Sequence, residues 1–176
     1  MLCVDLSGSM GARERAEAAT GTALGLLSDA YLRRDRVALV GFRGEGAEVL
    51  LTPTTSVEVA RNRLVDLPTG GQTPLAAGIG RGLALATGAP AGEQAVLVVL
   101  TDGRATGAPD ALAAAMAAGA EVRGRGVPAL VLDCETGAVR LGLAAELAAV
   151  MGAHHVHVDD LDPGSLAATI RSGVGR

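Results

Sequence analysis

The chain has 176 residues, a net charge of −4 and 49% hydrophobic residues, but only 1% aromatics. That length predicts one domain with a proper core, built from Ala, Val and Leu. All fifteen basic residues are Arg. The acidic balance argues against nucleic acid, and the absence of Lys excludes a Walker A loop, a Schiff-base lysine and a Ser-Lys dyad. Cys3 and Cys134 lie in apolar runs and read as buried free thiols of a reducing cytosol. No charged-then-apolar leader and no long apolar span is evident, so no membrane helix is expected and the expected location is cytoplasmic.

In chain order, Met1 to Val4 is a short apolar strand that ends in Asp5, with Ser7 and Ser9 at alternate positions and Gly8 between them. A strand that begins at the first residue suggests a piece of a longer protein. Gly11 to Tyr31 has helical spacing, and Arg33, Arg34, Asp35 and Arg36 make a polar turn. Val37 to Phe42 and Ala47 to Thr52 are strands joined by Gly44-Glu45-Gly46. So short a connection requires an antiparallel hairpin, and Pro53 is expected to end the second strand. Ser56 is expected to cap a helix running to about Asp66.

The glycine-rich stretch Gly70-Gly71-Gln72-Thr73-Pro74 leads into a helix to about Thr87, with Thr73 as its N-cap and Pro74 at the first helical position. Ala95 to Leu100 is apolar on both faces, as a covered parallel strand should be, and runs into Thr101-Asp102-Gly103-Arg104. A helix from Pro109 to about Arg123, a strand from Val127 to Asp133, a helix from Leu143 to Met151, a strand from Ala153 to Val158 and a helix from Pro163 to Ser172 follow. This alternation predicts an α/β fold with a mostly parallel sheet of six strands and one antiparallel member.

In such sheets ligands bind at the carboxyl ends of strands, near the switch in strand order. Asp5, Ser7 and Ser9 arrive there, as do Thr73 and Asp102, giving two carboxylates and three hydroxyls. Hard oxygen donors suit Mg²⁺, Mn²⁺ or Ca²⁺ rather than zinc, and Mg²⁺ binds through one or two carboxylates while keeping positions open. Asp5 as a phosphatase nucleophile would need a second acid two residues on and a supporting Lys. Ser7 stands in that place, so a metal-dependent phosphatase is the remote alternative. Gly70-Gly71 reads as a loop that lets the backbone pass close to the metal rather than as a phosphate cradle. His154, His155 and His157 read as strand-end residues, and Asp159, Asp160 and Asp162 as a polar turn.

The pattern Asp5-x-Ser7-x-Ser9, Thr73 in its Gly-Gly-x-Thr-Pro loop and Thr101-Asp102-Gly103 resembles the metal-ion-dependent adhesion site of von Willebrand factor A domains. The resemblance covers the whole chain, 1–176. It implies a Rossmann-like three-layer fold with helices on both faces and a metal whose free position takes a carboxylate from a partner protein. The runs from Tyr31 to Gly44, Ala47 to Leu51, Thr73 to Ala76 and Leu100 to Ala105 further resemble the carboxyl-terminal A domain of the magnesium chelatase D subunit. That narrower resemblance implies a role in inserting Mg²⁺ into protoporphyrin IX for (bacterio)chlorophyll synthesis. The implied partners are the complex's AAA+ ATPase subunit and its large porphyrin-binding subunit. The amino-terminal AAA+-like part and acidic linker of that family are not expected within these 176 residues, Gln72 stands where the subfamily usually has a third glycine, and no complete catalytic centre is expected in this chain. A partner of a MoxR-type ATPase or a cobalt chelatase component is the alternative. Arg33, Arg34, Arg36 and Arg43 are either solvated or available to dock an acidic partner, a reading favoured over docking of porphyrin propionates because no aromatic pocket is evident.

Overall fold

The computed structural model describes residues 1–8, 25, 28, 35–56, 58–59, 62–63, 69–136 and 140–160. Within them the chain forms strands β1 (Leu2–Asp5), β2 (Val37–Arg43) and β3 (Gly46–Thr54), then helix α1 (Leu75–Thr87). Strand β4 (Leu97–Thr101), helix α2 (Ala111–Gly124), strand β5 (Ala129–Asp133), helix α3 (Leu143–Met151) and strand β6 (His154–His157) complete it, with a 3₁₀ turn at Val158–Asp160. The six strands make one sheet in the order β3-β2-β1-β4-β5-β6. All neighbours are parallel except β2 and β3, which form the expected antiparallel hairpin.

Strand β1 has four residues, yet it lies inside the sheet, paired with β2 on one side and β4 on the other. Its short apolar run therefore has ladder partners at both edges. From β1 the chain winds outward to β2 and β3 in one direction and to β4, β5 and β6 in the other. The crevice between the carboxyl ends of β1 and β4 is thus the topological switch point.

Alternation along the strands sorts the core into two sides. Leu2, Val4, Leu39, Leu100 and Leu132 bury one face. Cys3, Val40, Phe42, Val99 and Val131 bury the other, against α1, α2 and α3. All three of these helices lie on that second face. The proposed helices at 11–31, 56–66 and 163–172 lie outside the described residues, wholly or in large part.

The near absence of aromatics sets the spacing between helix and sheet. Gly78 and Gly82 of α1 pass so close to the sheet that a Cβ at Gly82 would stand 2.4 Å from Cys3 Sγ, and one at Gly78 would stand 2.4 Å from Phe42 Cδ1. Phe42, the only Phe of the chain, is fully buried in that gap. Both Cys3 and Cys134 are buried thiols outside any disulfide, as expected. Burial raises the Cys3 thiol to about 12, which keeps it in the unreactive protonated form.

Two sequence expectations are corrected. Pro53 does not end β3 but lies within it. The strand is at the sheet edge, where a missing N–H breaks no inner ladder. Thr73 does not cap α1, because the N-cap position is Pro74 and no side chain bonds the helix start.

Two positions on α1 test this packing. Gly82→Ala should lower stability by about 1–3 kcal/mol through overpacking, although alanine is the better helix former. Gly80→Ala meets nothing within 4 Å and should raise stability by about 0.5–1 kcal/mol. Urea midpoints at unchanged m-value read both, and equal signs for the two variants would contradict the packing described.

Candidate metal centre at the switch point

Three loops converge at the carboxyl ends of β1 and β4, and main-chain hydrogen bonds join them. Gly70 N–H donates to Leu6 C=O at 2.8 Å, Gly8 N–H to Gly71 C=O at 3.2 Å, and Gly44 N–H to Gln72 C=O at 2.9 Å. The glycine-rich loop therefore lies across the ends of β1 and β2. It is tied in turn to the loop after β4, where Thr73 N–H donates to Thr106 Oγ1 at 2.8 Å and Thr106 N–H donates back to Thr73 C=O at 3.0 Å. A Cβ at Gly8 would lie 2.6 Å from Gly70 Cα, so these two backbones can meet only at glycine.

Asp5 is partly buried and held on both oxygens. Ser7 N–H donates to Oδ1 at 2.9 Å and Thr101 Oγ1 donates to Oδ2 at 3.1 Å. Thr101 Oγ1 also accepts Gly103 N–H at 3.1 Å, so one hydroxyl links the end of β1 to the turn that follows β4. Asp102 is 7% exposed. Its Oδ1 accepts Arg104 N–H at 3.1 Å and its Oδ2 lies 3.6 Å from Arg104 Nε. Thr73 is 6% exposed, and among the described residues its hydroxyl makes no hydrogen bond.

The structure thus brings Asp5, Ser7, Thr73 and Asp102 to one end of the sheet; Ser9 lies outside the described residues. Burial raises the Asp5 carboxyl above its ordinary value of 3.8, and the neighbouring Asp102 charge adds to the rise. Hydrogen bonds from Ser7 and Thr101 oppose it. Two acids that repel each other, with a buried hydroxyl still without a partner, are chemically suited to an oxygen-preferring divalent cation. Among the described residues no three His, Cys, Asp or Glu side chains cluster as a metal site, so the candidate donor set is two carboxylates with hydroxyls.

Sequence reasoning passed over Thr101 as the link between Asp5 and Gly103, although it stands in the Thr-Asp-Gly motif. It also missed a buried network beside the site. Glu135 is 2% exposed and its carboxylate accepts Leu141 N–H at 2.8 Å and Gly142 N–H at 3.1 Å, just before α3. Asp133 accepts Glu135 N–H at 2.8 Å and pairs with His155 at 2.9 Å. His157 Nδ1 accepts Asp159 N–H at 3.2 Å, which assigns the ring proton to Nε2, the donor to Glu135 C=O at 2.7 Å. The histidines at 155 and 157 therefore hold a loop. A lone Glu after a strand carries no spacing signal that could have revealed this. The basic residues also separate: Arg36 precedes β2 and pairs with Glu93 at 3.4 Å, whereas Arg43 ends β2 on the site's side. About 20 Å of strand lies between them. Arg33 and Arg34 lie outside the described residues.

A mostly parallel six-stranded sheet with acids and hydroxyls at its switch point is the arrangement of a von Willebrand factor type A domain, and the chain belongs to that family, whose model matches residues 1–104. Among curated relatives, an uncharacterized protein of Mycobacterium tuberculosis is 47% identical over 96% of this chain and 27% of its own length. The magnesium-chelatase 67 kDa subunit of Heliobacterium mobile is 34% identical over 97% of this chain and 27% of its own length. The chain therefore spans about a quarter of the curated relatives it matches. Among solved structures, BatB from Bacteroides thetaiotaomicron superposes with a TM-score of 0.78 at 19% identity, covering 99% of this chain and 98% of its own.

The Asp5 environment gives a pH prediction. Its folded-state pKa is raised, so the native state holds the proton more tightly than the unfolded chain does. Without metal, stability therefore falls as pH rises from 3.8 through the folded-state value, and stays lower above it. In EDTA at neutral pH, Asp5→Asn should melt at or above the wild-type temperature, with the difference shrinking in acid. A wild type more stable than Asp5→Asn at neutral pH in EDTA would show that the charge at Asp5 is not a cost.

Proposed function

We propose that this domain is a metal-dependent docking module. Asp5, Ser7, Ser9, Thr73 and Asp102 would hold Mg²⁺ (or Mn²⁺). The metal would supply an open coordination position for a carboxylate oxygen of a partner protein. The observation that carries the reading is the buried Thr73 hydroxyl, which makes no hydrogen bond among the described residues and sits in a loop tied to both acid-bearing loops. An apolar or purely structural site would have paired or exposed that group.

The protein's own residues do the positioning. Thr101 and the Ser7 amide fix the Asp5 carboxylate, and the Arg104 amide fixes that of Asp102. The glycine-rich loop brings Thr73 over the strand ends. Asp5 must be ionised to hold a cation, so uptake of Mg²⁺ should weaken in acid.

The partner is the AAA+ ATPase subunit of a cytoplasmic magnesium chelatase that inserts Mg²⁺ into protoporphyrin IX, with the porphyrin-binding subunit as a further contact. Identity to the Heliobacterium chelatase subunit supports this assignment. Service to a cobalt chelatase or a MoxR-type ATPase is the second reading. Among the described residues no helix is long and apolar enough to cross a membrane.

Co-precipitation of the full-length protein with its AAA+ subunit, with and without Mg²⁺, tests partner and metal together. Asp102→Ala and Thr73→Ala should remain folded and lose at least about tenfold in capture, with Asp102→Ala the more severe. Wild-type capture by Asp102→Ala, or capture indifferent to EDTA, would refute the proposal. Mg²⁺ at a hundred times its dissociation constant should also stabilise the wild type by about 2.7 kcal/mol in thermal melts, and Asp102→Ala by far less.

A further inference from the structure

Arg104 follows the Thr-Asp-Gly motif, and its two attachments to Asp102 differ in kind. The main-chain N–H is within hydrogen-bond distance of Oδ1, at 3.1 Å. The side chain reaches Oδ2 only as an ion pair, Nε at 3.6 Å, which is too long for a hydrogen bond. The Arg104 side chain is 46% exposed and that of Asp102 8%. The backbone contact therefore fixes the carboxylate, and the guanidinium lies against it from the solvent side, where it can leave at little cost.

From this we infer that Arg104 is a movable charge: it competes with the cation for Asp102 and then binds the incoming partner carboxylate. The inference rests on the docking function proposed above and names the residue that couples its two ligands. Among the described residues, two carboxylates and one guanidinium give the site one net negative charge. A divalent cation turns that into one net positive charge, which a single carboxylate neutralises. Without Arg104 the cation alone would neutralise the site, and the partner carboxylate would bring back a net negative charge. Arg104 thus weakens metal binding in the absence of a partner and strengthens carboxylate binding in the presence of metal. The guanidinium fork also matches a carboxylate's two oxygens. Among the described residues, Arg43 and Glu45 at the end of β2 are exposed and of opposite sign, so together they leave that balance unchanged.

The test measures both ligands on the full-length protein. Mg²⁺ is titrated by calorimetry. A blocked peptide carrying a single glutamate, acetyl-Gly-Glu-Gly-amide, is then titrated by NMR into the Mg²⁺-loaded protein, with its glutamine counterpart as control. Arg104→Ala should bind Mg²⁺ about two- to fivefold tighter and the glutamate peptide about three- to tenfold weaker. Arg36→Ala, at the opposite end of β2, should change neither. The inference is overturned if Arg104→Ala leaves both affinities unchanged or weakens both, while the wild type still binds Mg²⁺ and peptide; the docking function then stands without it. It is also overturned if Arg36→Ala reproduces the shifts, since net charge alone would then explain them. A wild type that takes up no Mg²⁺ removes the docking function and this inference together.

Discussion

The Thr101 hydroxyl is the point on which the site depends. It donates to Asp5 at the end of β1 and accepts from Gly103 just beyond β4. Those two strands are neighbours at the switch point, and their ladder pairing stops at Val4 and Leu100. Beyond that register no strand hydrogen bond holds Asp5 beside Asp102. A side-chain bridge replaces the ladder there and keeps two like charges together. Removing that hydroxyl would leave the Asp5 carboxylate short of a donor in a partly buried place, the costlier half of breaking a hydrogen bond.

A second layer supports the first. Gly103 has φ +78, and a Cβ there would stand 2.3 Å from Ala144 N, so the turn after Asp102 lies directly against the start of α3. That helix start has no side-chain cap at Gly142, itself in the left-handed region at φ +69. The preceding loop's N–H groups are taken instead by buried Glu135. Glu135 is itself fixed by Asp133 and His157. Position therefore passes from the edge strand β6 through Glu135 and α3 to the backbone beside Asp102. A negative charge near a helix start also gains from the helix dipole.

The fold was legible because periodicity and turn chemistry are local. The doubly apolar run before Thr101, the glycine turn at 44–46 and the break at Gly88 each announce themselves within a few residues. Asp5, Ser7, Thr73 and Asp102 were legible as a set because their spacing matches strand ends in an alternating fold. What failed depended on distant context. Pro53 is permitted because β3 is an edge, which one strand alone cannot reveal. Thr73 has the composition of a helix cap, but its amide and carbonyl are committed to Thr106, thirty-three residues on. Glu135 follows a strand with no neighbouring acid or histidine at a telling spacing, and only the fold brings the loop at 141–142 onto it. The Arg residues at 36 and 43 looked like one basic patch until β2 placed them at opposite ends.

This division bears on how the domain can be specific. The three loops of the site are joined mainly by backbone: glycine against glycine at positions 8 and 70, amide to carbonyl at 44 and 72, and glycine against the α3 start at 103. Such junctions fix geometry without spending side chains. On the docking function proposed above, the acids and hydroxyls would supply the same metal chemistry whatever the partner is. Discrimination must then come from exposed side chains on the rim: Arg43 at the end of β2, Gln72 on the glycine-rich loop and Arg104 after Asp102. Substitutions there alter charge and shape without disturbing the backbone beneath. On that docking function, one scaffold could serve different partners by changing only its rim.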